Sequence, residues 1–259
     1  KFLIQHNLMN EQQLHQSEVA VKPYPHEFVG VIPFSREITS NEPLVGKEFI
    51  PYGSTLLITL GAQFGWRGLH FDLTQMNYRN FLKHHPDMLN DNVMTVENAV
   101  EWLKHVRPET EIFTRPSEDL KQYSGQVMTA GEILPWFQSM MDAVGGGSYY
   151  MAPETEVVLS SPKNVDAEWR WFIVGGKIID GSMYRAHNQL RKLHEDDQTV
   201  IDEAQALADK WVPDQCVVMD TALVEDTVKV IEFNCINSSG MYDNDVNKIF
   251  KALWEYHEK

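Results

Sequence analysis

Residues 229–240 read KVIEFNCINSSG, an apolar strand that runs into a loop of small polar residues. Two positions, Glu232 and Asn234, break its apolar character. Side chains two apart on a strand point to the same face. A carboxylate and a carboxamide are therefore aimed in one direction just ahead of the loop. The segment before it, QCVVMDTALVEDT (215–227), is also strand-like, and the two form a hairpin turning near Glu225 and Asp226. A three-residue loop at 225–227 sets Asp220 directly opposite Glu232, whereas a two-residue loop at 225–226 shifts it by one position. In either register Asp220 lies near the Glu232/Asn234 face. Two carboxylates and an amide oxygen make a hard, all-oxygen cluster suited to Mg²⁺. Simple alternation would also group Val228, Val230, Glu232 and Asn234 on one solvated face, so the local pattern leaves both readings open.

A second hairpin, EWRWFIVGGKIIDGSMYR (168–185), adds cations. Gly175-Gly176 supplies a positive-φ turn between β-branched and aromatic flanks. Glu168, Arg170 and Phe172 share one face, and Trp169, Trp171 and Ile173 the other. A Glu–Arg pair on a strand is by itself compatible with an ordinary surface salt bridge. Arg185, however, ends the partner strand, so two guanidiniums emerge from one hairpin. Arg115, at the end of EIFTRP (111–116), and Lys121, beside Gly125, add two more cations. Arginine is the side chain best matched to bidentate phosphate binding. Four cations at strand ends beside an acidic triad point to a magnesium-bound nucleotide.

The chain as a whole is acidic, with 22 Lys plus Arg against 37 Asp plus Glu and a formal charge of −15. That balance argues against indiscriminate binding to nucleic acid or anionic membrane, both of which need a positive field. Its 259 residues allow one large or two modest domains. Cys216 and Cys235 lie in apolar strand-like runs and read as buried thiols in a reducing compartment. The opening KFLIQHN lacks an export-type apolar segment, and STLLITLGAQFGW (54–66) is too short to span a bilayer. The expectation is a soluble, cytoplasmic protein.

The first hundred residues alternate short apolar runs with polar connectors, as in a small α/β unit. Helical spacing follows in NYRNFLKHH (77–85) and VENAVEWLKHV (96–106). In the latter, Val96, Ala99, Val100 and Leu103 form one stripe, capped by Thr95. From residue 109 the pattern becomes antiparallel strand pairs with helices between them, an α+β layout. AGEILPWFQSMMDAV (130–144) is expected to be helical with Pro135 in its first turn. Helices are also expected over DQTVIDEAQALADKWV (197–212) and DNDVNKIFKALWEYH (243–257). The glycines at 145–147 and the segment RAHNQLRKLHEDDQ (185–198) are expected to be flexible, the latter able to close over a site.

Taken together, these features resemble the ATP-grasp superfamily of carboxylate ligases over about residues 109–245. In its glutathione-synthetase and ribosomal-protein-modifying branches, a strand ending in Lys-Pro leads into a glycine-containing loop over the phosphates. Arg115-Pro116 and Ser124-Gly125 stand at those places. The resemblance assigns adenine contacts to the VLSSPK strand, at Leu159, Ser160 and Ser161, with Lys163 and Lys121 as further nucleotide contacts. Glu168 and Arg170 match an acid-x-Arg pattern whose acid binds ribose, and Arg185 matches a phosphate-contacting arginine. Asp220, Glu232 and Asn234 match an Asp and a Glu-x-Asn that hold two magnesium ions. NSSG with Tyr242 is also similar to a phage and bacterial branch marked by Arg-Pro.

The resemblance implies an ATP-grasp fold, two α+β subdomains gripping ATP, preceded by a small α/β domain. The expected division is 1–107 and 108–259, with a lid over 108–160 and a catalytic part over 161–259. It implies ATP and Mg²⁺ as cofactors, and a ligase that joins a carboxylate to an amine through an acylphosphate. Arg170 and Arg185 would be catalytic, and Ser238, Ser239 and Gly240 would contact substrate. The substrates are expected to be a small carboxylate and an amine, with a peptide or nucleic-acid-borne acceptor as a further option and no membrane partner. A phosphotransferase or a non-catalytic nucleotide-binding module would use the same pocket. Asp243, Asp245 and Asn247 imitate the start of an EF-hand loop, but Lys248 and Trp254 stand where glycine and glutamate are needed.

Overall fold

The structure is a computed structural model of the 259-residue chain. It describes all residues except 8, 34, 36, 42, 119–122, 144–149 and 188. Lys121 and Gly145 to Gly147, singled out above, therefore lie outside the described residues.

The N-terminal unit is built on β1 (Phe2–Gln5), whose four residues are all buried. After α1 (Glu11–Val21), strand β2 (His26–Ile32) pairs with β1 in parallel. β3 (Glu37–Thr39) folds back antiparallel on β2, and β4 (Ile50–Tyr52) adds to the other side of β1 in parallel. The apolar run Phe2-Leu3-Ile4 suits a central parallel strand covered on both faces. The STLLITLG run becomes α2 (Thr55–Phe64), which stops at Gly65 with φ 68°, the left-handed conformation that glycine adopts without a Cβ penalty.

α3 (Tyr78–His84) leads into the second layer, a sheet of order β5-β8-β6-β7. It comprises β5 (Val93–Thr95), then α4 (Val96–Leu103), β6 (Glu111–Pro116), β7 (Gln126–Thr129), α5 (Ala130–Met141) and β8 (Glu156–Ser160). All its pairings are antiparallel. β5 and α4, which precede the expected division at residue 107, belong to this layer, and the α4 stripe packs on α5, Ile112 and Leu159. α5 starts at Ala130, five residues before Pro135, because Glu132 reaches back to the Thr129 N–H at 2.9 Å and fixes the first turn. Pro135 thus sits inside the helix, past the first turn expected for it.

The third layer is an antiparallel five-stranded sheet, β11-β10-β9-β12-β13. β9 (Ala167–Val174) and β10 (Lys177–Ala186) form the first hairpin, with Gly175 and Gly176 at φ 61° and 75°. The segment expected to be a closing loop instead supplies β11 (Gln189–His194), which pairs with β10 at the sheet edge. α6 (Gln198–Lys210) then leads to β12 (Cys216–Val224) and β13 (Thr227–Cys235), and α7 (Val246–His257) closes the chain. One face of the sheet carries Trp169, Trp171, Ile173, Val217, Met219, Val230, Phe233 and Cys235 against α6. The other face carries Phe172, Val174, Cys216 and Val218 against β1, α1 and α7. Both cysteines are free and buried, and no helix among the described residues is long and apolar enough to cross a membrane.

Candidate active site

The second hairpin turns through two residues, Glu225 and Asp226, since Val224 pairs with Thr227. That loop alone would offset Asp220 from Glu232 by one position. The register shifts between Asp220 and Thr221, however: Thr221 pairs with Val230, and Asp220 with Glu232. Ile231 is the extra residue of a β-bulge. A bulge inserts one residue and so inverts the facing of everything beyond it. Val228 and Val230 lie on the α6 face, as do Phe233 and Cys235 beyond the bulge. Glu232 and Asn234 are thereby turned to the opposite face, away from Val228 and Val230. Tyr78 of α3 holds the bulge, its hydroxyl donating to the Ile231 carbonyl at 2.6 Å. Burial pushes that phenol up to about 12, with the nearby Arg115 pulling against it, so it stays protonated and able to donate.

On the face so exposed, the charges meet in pairs. Arg170 donates Nε to Asp220 Oδ1 at 2.9 Å and NH2 to Oδ2 at 2.7 Å, a bidentate fork. Asp220 is only 1 % exposed. Asn234 Nδ2 donates to Asp220 Oδ2 at 3.1 Å. Burial works against the Arg170 charge, but Asp220 outweighs it and drives the guanidinium pKa up. Arg115 NH1 meets Glu232 Oε2 at 2.5 Å, and its guanidinium lies over the Tyr78 ring at 4.9 Å. Arg185 NH1 meets Glu168 Oε1 at 3.1 Å.

A second bulge places an aromatic wall. Met183 pairs with Trp169 and Arg185 with Glu168, leaving Tyr184 as the extra residue of β10. Tyr184 stacks on Tyr242 with ring centres 4.8 Å apart, and Arg170 lies 4.8 Å over the Tyr242 ring. Tyr242 itself has φ 49°, a conformation uncommon for a residue with a Cβ. Burial first, then the Asp220 and Glu168 carboxylates, push the Tyr184 phenol far up.

These groups border a cleft of about 450 Å³ between the second and third layers. Arg115 and Gly125 from the second layer and Lys163, Glu168, Tyr184, Arg185 and Glu232 from the third line it, with Leu89, Asn90, Phe113 and Ile231. A larger hollow of about 840 Å³ lies in the N-terminal unit between β3 and the end of α2. We place the chemistry in the smaller cleft because the paired charges converge there.

Several sequence expectations take a different place. Leu159 is buried in the core of the second layer, and its N–H is spent on the Asn92 carbonyl at 2.9 Å. The Ser160 hydroxyl bonds Asp91 at 3.2 Å, and Ser161 receives Lys163 Nζ at 2.5 Å. On this side Pro162, Lys163 and Val165 line the cleft, so the wall sits a few residues further along than the strand pattern indicated. Ser239 donates to the Cys235 carbonyl, and its own carbonyl accepts from Tyr52; both groups hold the loop. The Gly240 carbonyl accepts from Arg170 NH1 at 3.2 Å, and Ser238 is half-buried. Tyr78, Tyr184, Leu89 and Asn90 carried no sequence signal. Tyr78 reaches its partner 153 residues away, and Tyr184 is re-aimed by a bulge.

The comparisons with known proteins agree with this geometry. Residues 69–255 match the model of an ATP-grasp domain family, the third family of its clade, and the chain belongs to that family. The match begins well before residue 109, taking in α3 and α4. Among solved structures, the chain is similar to a RimK domain ATP-grasp protein from Sphaerobacter thermophilus DSM 20745, with TM-score 0.60, 13 % identity, and 97 % and 98 % of the two chains covered. It is similar to D-alanine–D-alanine ligase from Bacillus anthracis, with TM-score 0.59, 11 % identity, and 99 % and 98 % covered. It is also similar to the ATP-grasp ligase PsnB complexed with minimal precursor, Mg and ADP, with TM-score 0.54, 8 % identity, and 100 % and 98 % covered. At these identities the likeness establishes the fold. No curated protein matches the sequence.

Proposed function

We propose that the cleft binds ATP with Mg²⁺ and that the protein is a ligase joining a carboxylate to an amine through an acylphosphate. One observation carries this reading: Asp220, Glu232 and Asn234 lie on one sheet face, and each of the three arginines around them is paired to a carboxylate. The family membership and the ligases of like fold support it. The donor set fits magnesium, being two carboxylates and a carboxamide with no soft ligand. Bound there, magnesium would neutralise charge on the β- and γ-phosphates.

The chain's own groups would then divide the work. Each arginine fork now held by a carboxylate is pre-positioned, and an entering phosphate offers it the same bidentate geometry. Arg115, Lys163 and, from the sequence, Lys121 would hold phosphate, and Glu168 the ribose, with Pro162 and Val165 against the base. Arg170 and Arg185 would stabilise the phosphoryl group as it passes to the substrate carboxylate, releasing ADP. The amine would then attack the acyl carbon, expelling phosphate, with Arg170 and the Ser238–Gly240 loop beside the oxyanion. The Tyr184–Tyr242 stack would fix Arg170 and shield it from water.

The test is ADP release across a panel of carboxylates and amines, with product masses determined. We expect ADP to require both co-substrates and a product lighter than their sum by one water. Glu232→Gln should lower turnover by roughly 10²–10³-fold. ADP formed with the carboxylate alone, giving a stable phosphorylated product, would assign a phosphotransferase instead. ATP bound with no turnover on any pair would leave only a binding module.

A further inference from the structure

Away from the cleft, His70, Asp214 and Cys216 bring one donor atom each to within 4.8 Å of one another. Among the described residues no other three His, Cys, Asp or Glu side chains converge this tightly. His70 lies in the connector between α2 and α3, while Asp214 and Cys216 open β12. His70 Nδ1 is 2.8 Å from Asp214 Oδ1, and their side chains are 9 % and 27 % exposed. Cys216 is fully buried. On the far side of the imidazole, His70 Nε2 faces Nε2 of His257, at the end of α7, at 3.0 Å.

We propose that His70, Asp214 and Cys216 form a transition-metal site of the zinc type, joining the N-terminal unit to the central sheet. Thiolate and imidazole with one carboxylate select zinc and its neighbours over magnesium. Metal-ligating histidines hold their second ring nitrogen on an outer partner, and His257 occupies that place. His70 binds through the Nδ1 lone pair and keeps its proton on Nε2, directed at His257. Asp214 binds as the carboxylate, and the Cys216 thiol releases its proton to solvent, so no electron changes hands. The fourth position of the tetrahedron falls to water on the side where Asp214 is open. The His70 N–H donates to Asn237 Oδ1 at 2.8 Å, and Asn237 Nδ2 donates to the Pro51 and Gly68 carbonyls. The metal would therefore brace the junction from which the Ser238–Gly240 loop leaves.

The test uses the full chain without a histidine tag, titrated with Co²⁺. The sequence has two thiols, Cys216 and Cys235, so thiolate-to-cobalt charge-transfer absorption reports this centre. We expect that band at one equivalent, displaced by Zn²⁺, retained in Cys235→Ser and lost in Cys216→Ser. Zn²⁺ should raise the Tm of the wild type and leave Cys216→Ser unmoved. If Cys216→Ser fails to fold, Asp214→Asn serves, with weakened cobalt binding expected. Cobalt bound without a charge-transfer band, a band lost only in Cys235→Ser, or no binding at micromolar metal overturns the proposal and leaves a hydrogen-bonded Asp–His–His staple.

Discussion

The two faces of the central sheet are made by the same strands yet serve different ends. Against α6 the face is apolar along its length, with Trp169, Trp171, Ile173, Met219 and Phe233 in one cluster. The opposite face is divided. Phe172, Val174 and Val218 pack at one end under β1 and α7, and Glu168, Arg170, Asp220, Glu232 and Asn234 stand at the other. Alternation along β9 and β12 is enough to create the division there. On β13 it is not, because without the Ile231 bulge Glu232 and Asn234 would share a face with Val228 and Val230. A single inserted residue decides which side of the sheet holds the chemistry.

The largest effect should come from breaking the charged end. Asp220→Ala leaves the Arg170 charge buried without its bidentate partner, and losing one member of a buried pair costs about 3–5 kcal/mol. We expect that loss in urea unfolding, together with loss of ATP turnover. The double variant Arg170→Met/Asp220→Leu should regain much of the stability and none of the turnover. If it regains both, the pair is structural only, and the functional reading of this end fails.

Trp171→Ala probes the other face. Trp171 is fully buried and donates Nε1 to Thr221 Oγ1 at 2.8 Å. Removing such a ring costs about 3–5 kcal/mol, and here the loss should appear in stability alone. Nucleotide affinity per folded molecule, measured by calorimetry well below the Tm, should stay within a few-fold of wild type. A large drop in affinity would mean that the two faces are not separable.

The smallest effect concerns a polar flaw in the apolar face. His85 packs against Trp211 and Phe233 and is 1 % exposed. One ring nitrogen bonds the Trp211 carbonyl at 2.9 Å, and the other has no partner. Burial lowers its pKa from 6.5. The unfolded chain therefore binds this proton more readily, and stability rises with pH in that range. The contribution is complete above about pH 6.5 and is lost as pH falls through the depressed value, with a slope of at most about 1.4 kcal/mol per pH unit. His85→Phe should flatten the acid side of the stability–pH curve by up to that amount. An unchanged slope would assign the proton uptake to another group.

The amino-acid sequence on its own determined the strands and helices whose signals are local. The Gly175-Gly176 turn, the Thr95 cap, the stripes of α4, α6 and α7, and the placing of Arg170, Asp220, Glu232 and Asn234 near one another all rest on contacts within a few residues or on simple alternation. The resemblance to the ATP-grasp superfamily rested on those same residues. What the tertiary structure decided is everything that depends on distant partners. The Ile231 bulge needs Tyr78 to satisfy its carbonyl, Tyr184 enters the cleft only because β10 slips against β9, and β11 forms because β10 offers an edge to residues 189–194. The meeting of His70 with Asp214, Cys216 and His257 spans 187 residues of chain. Periodicity records which way a side chain points relative to its neighbours in the chain; it carries no record of what will be waiting there.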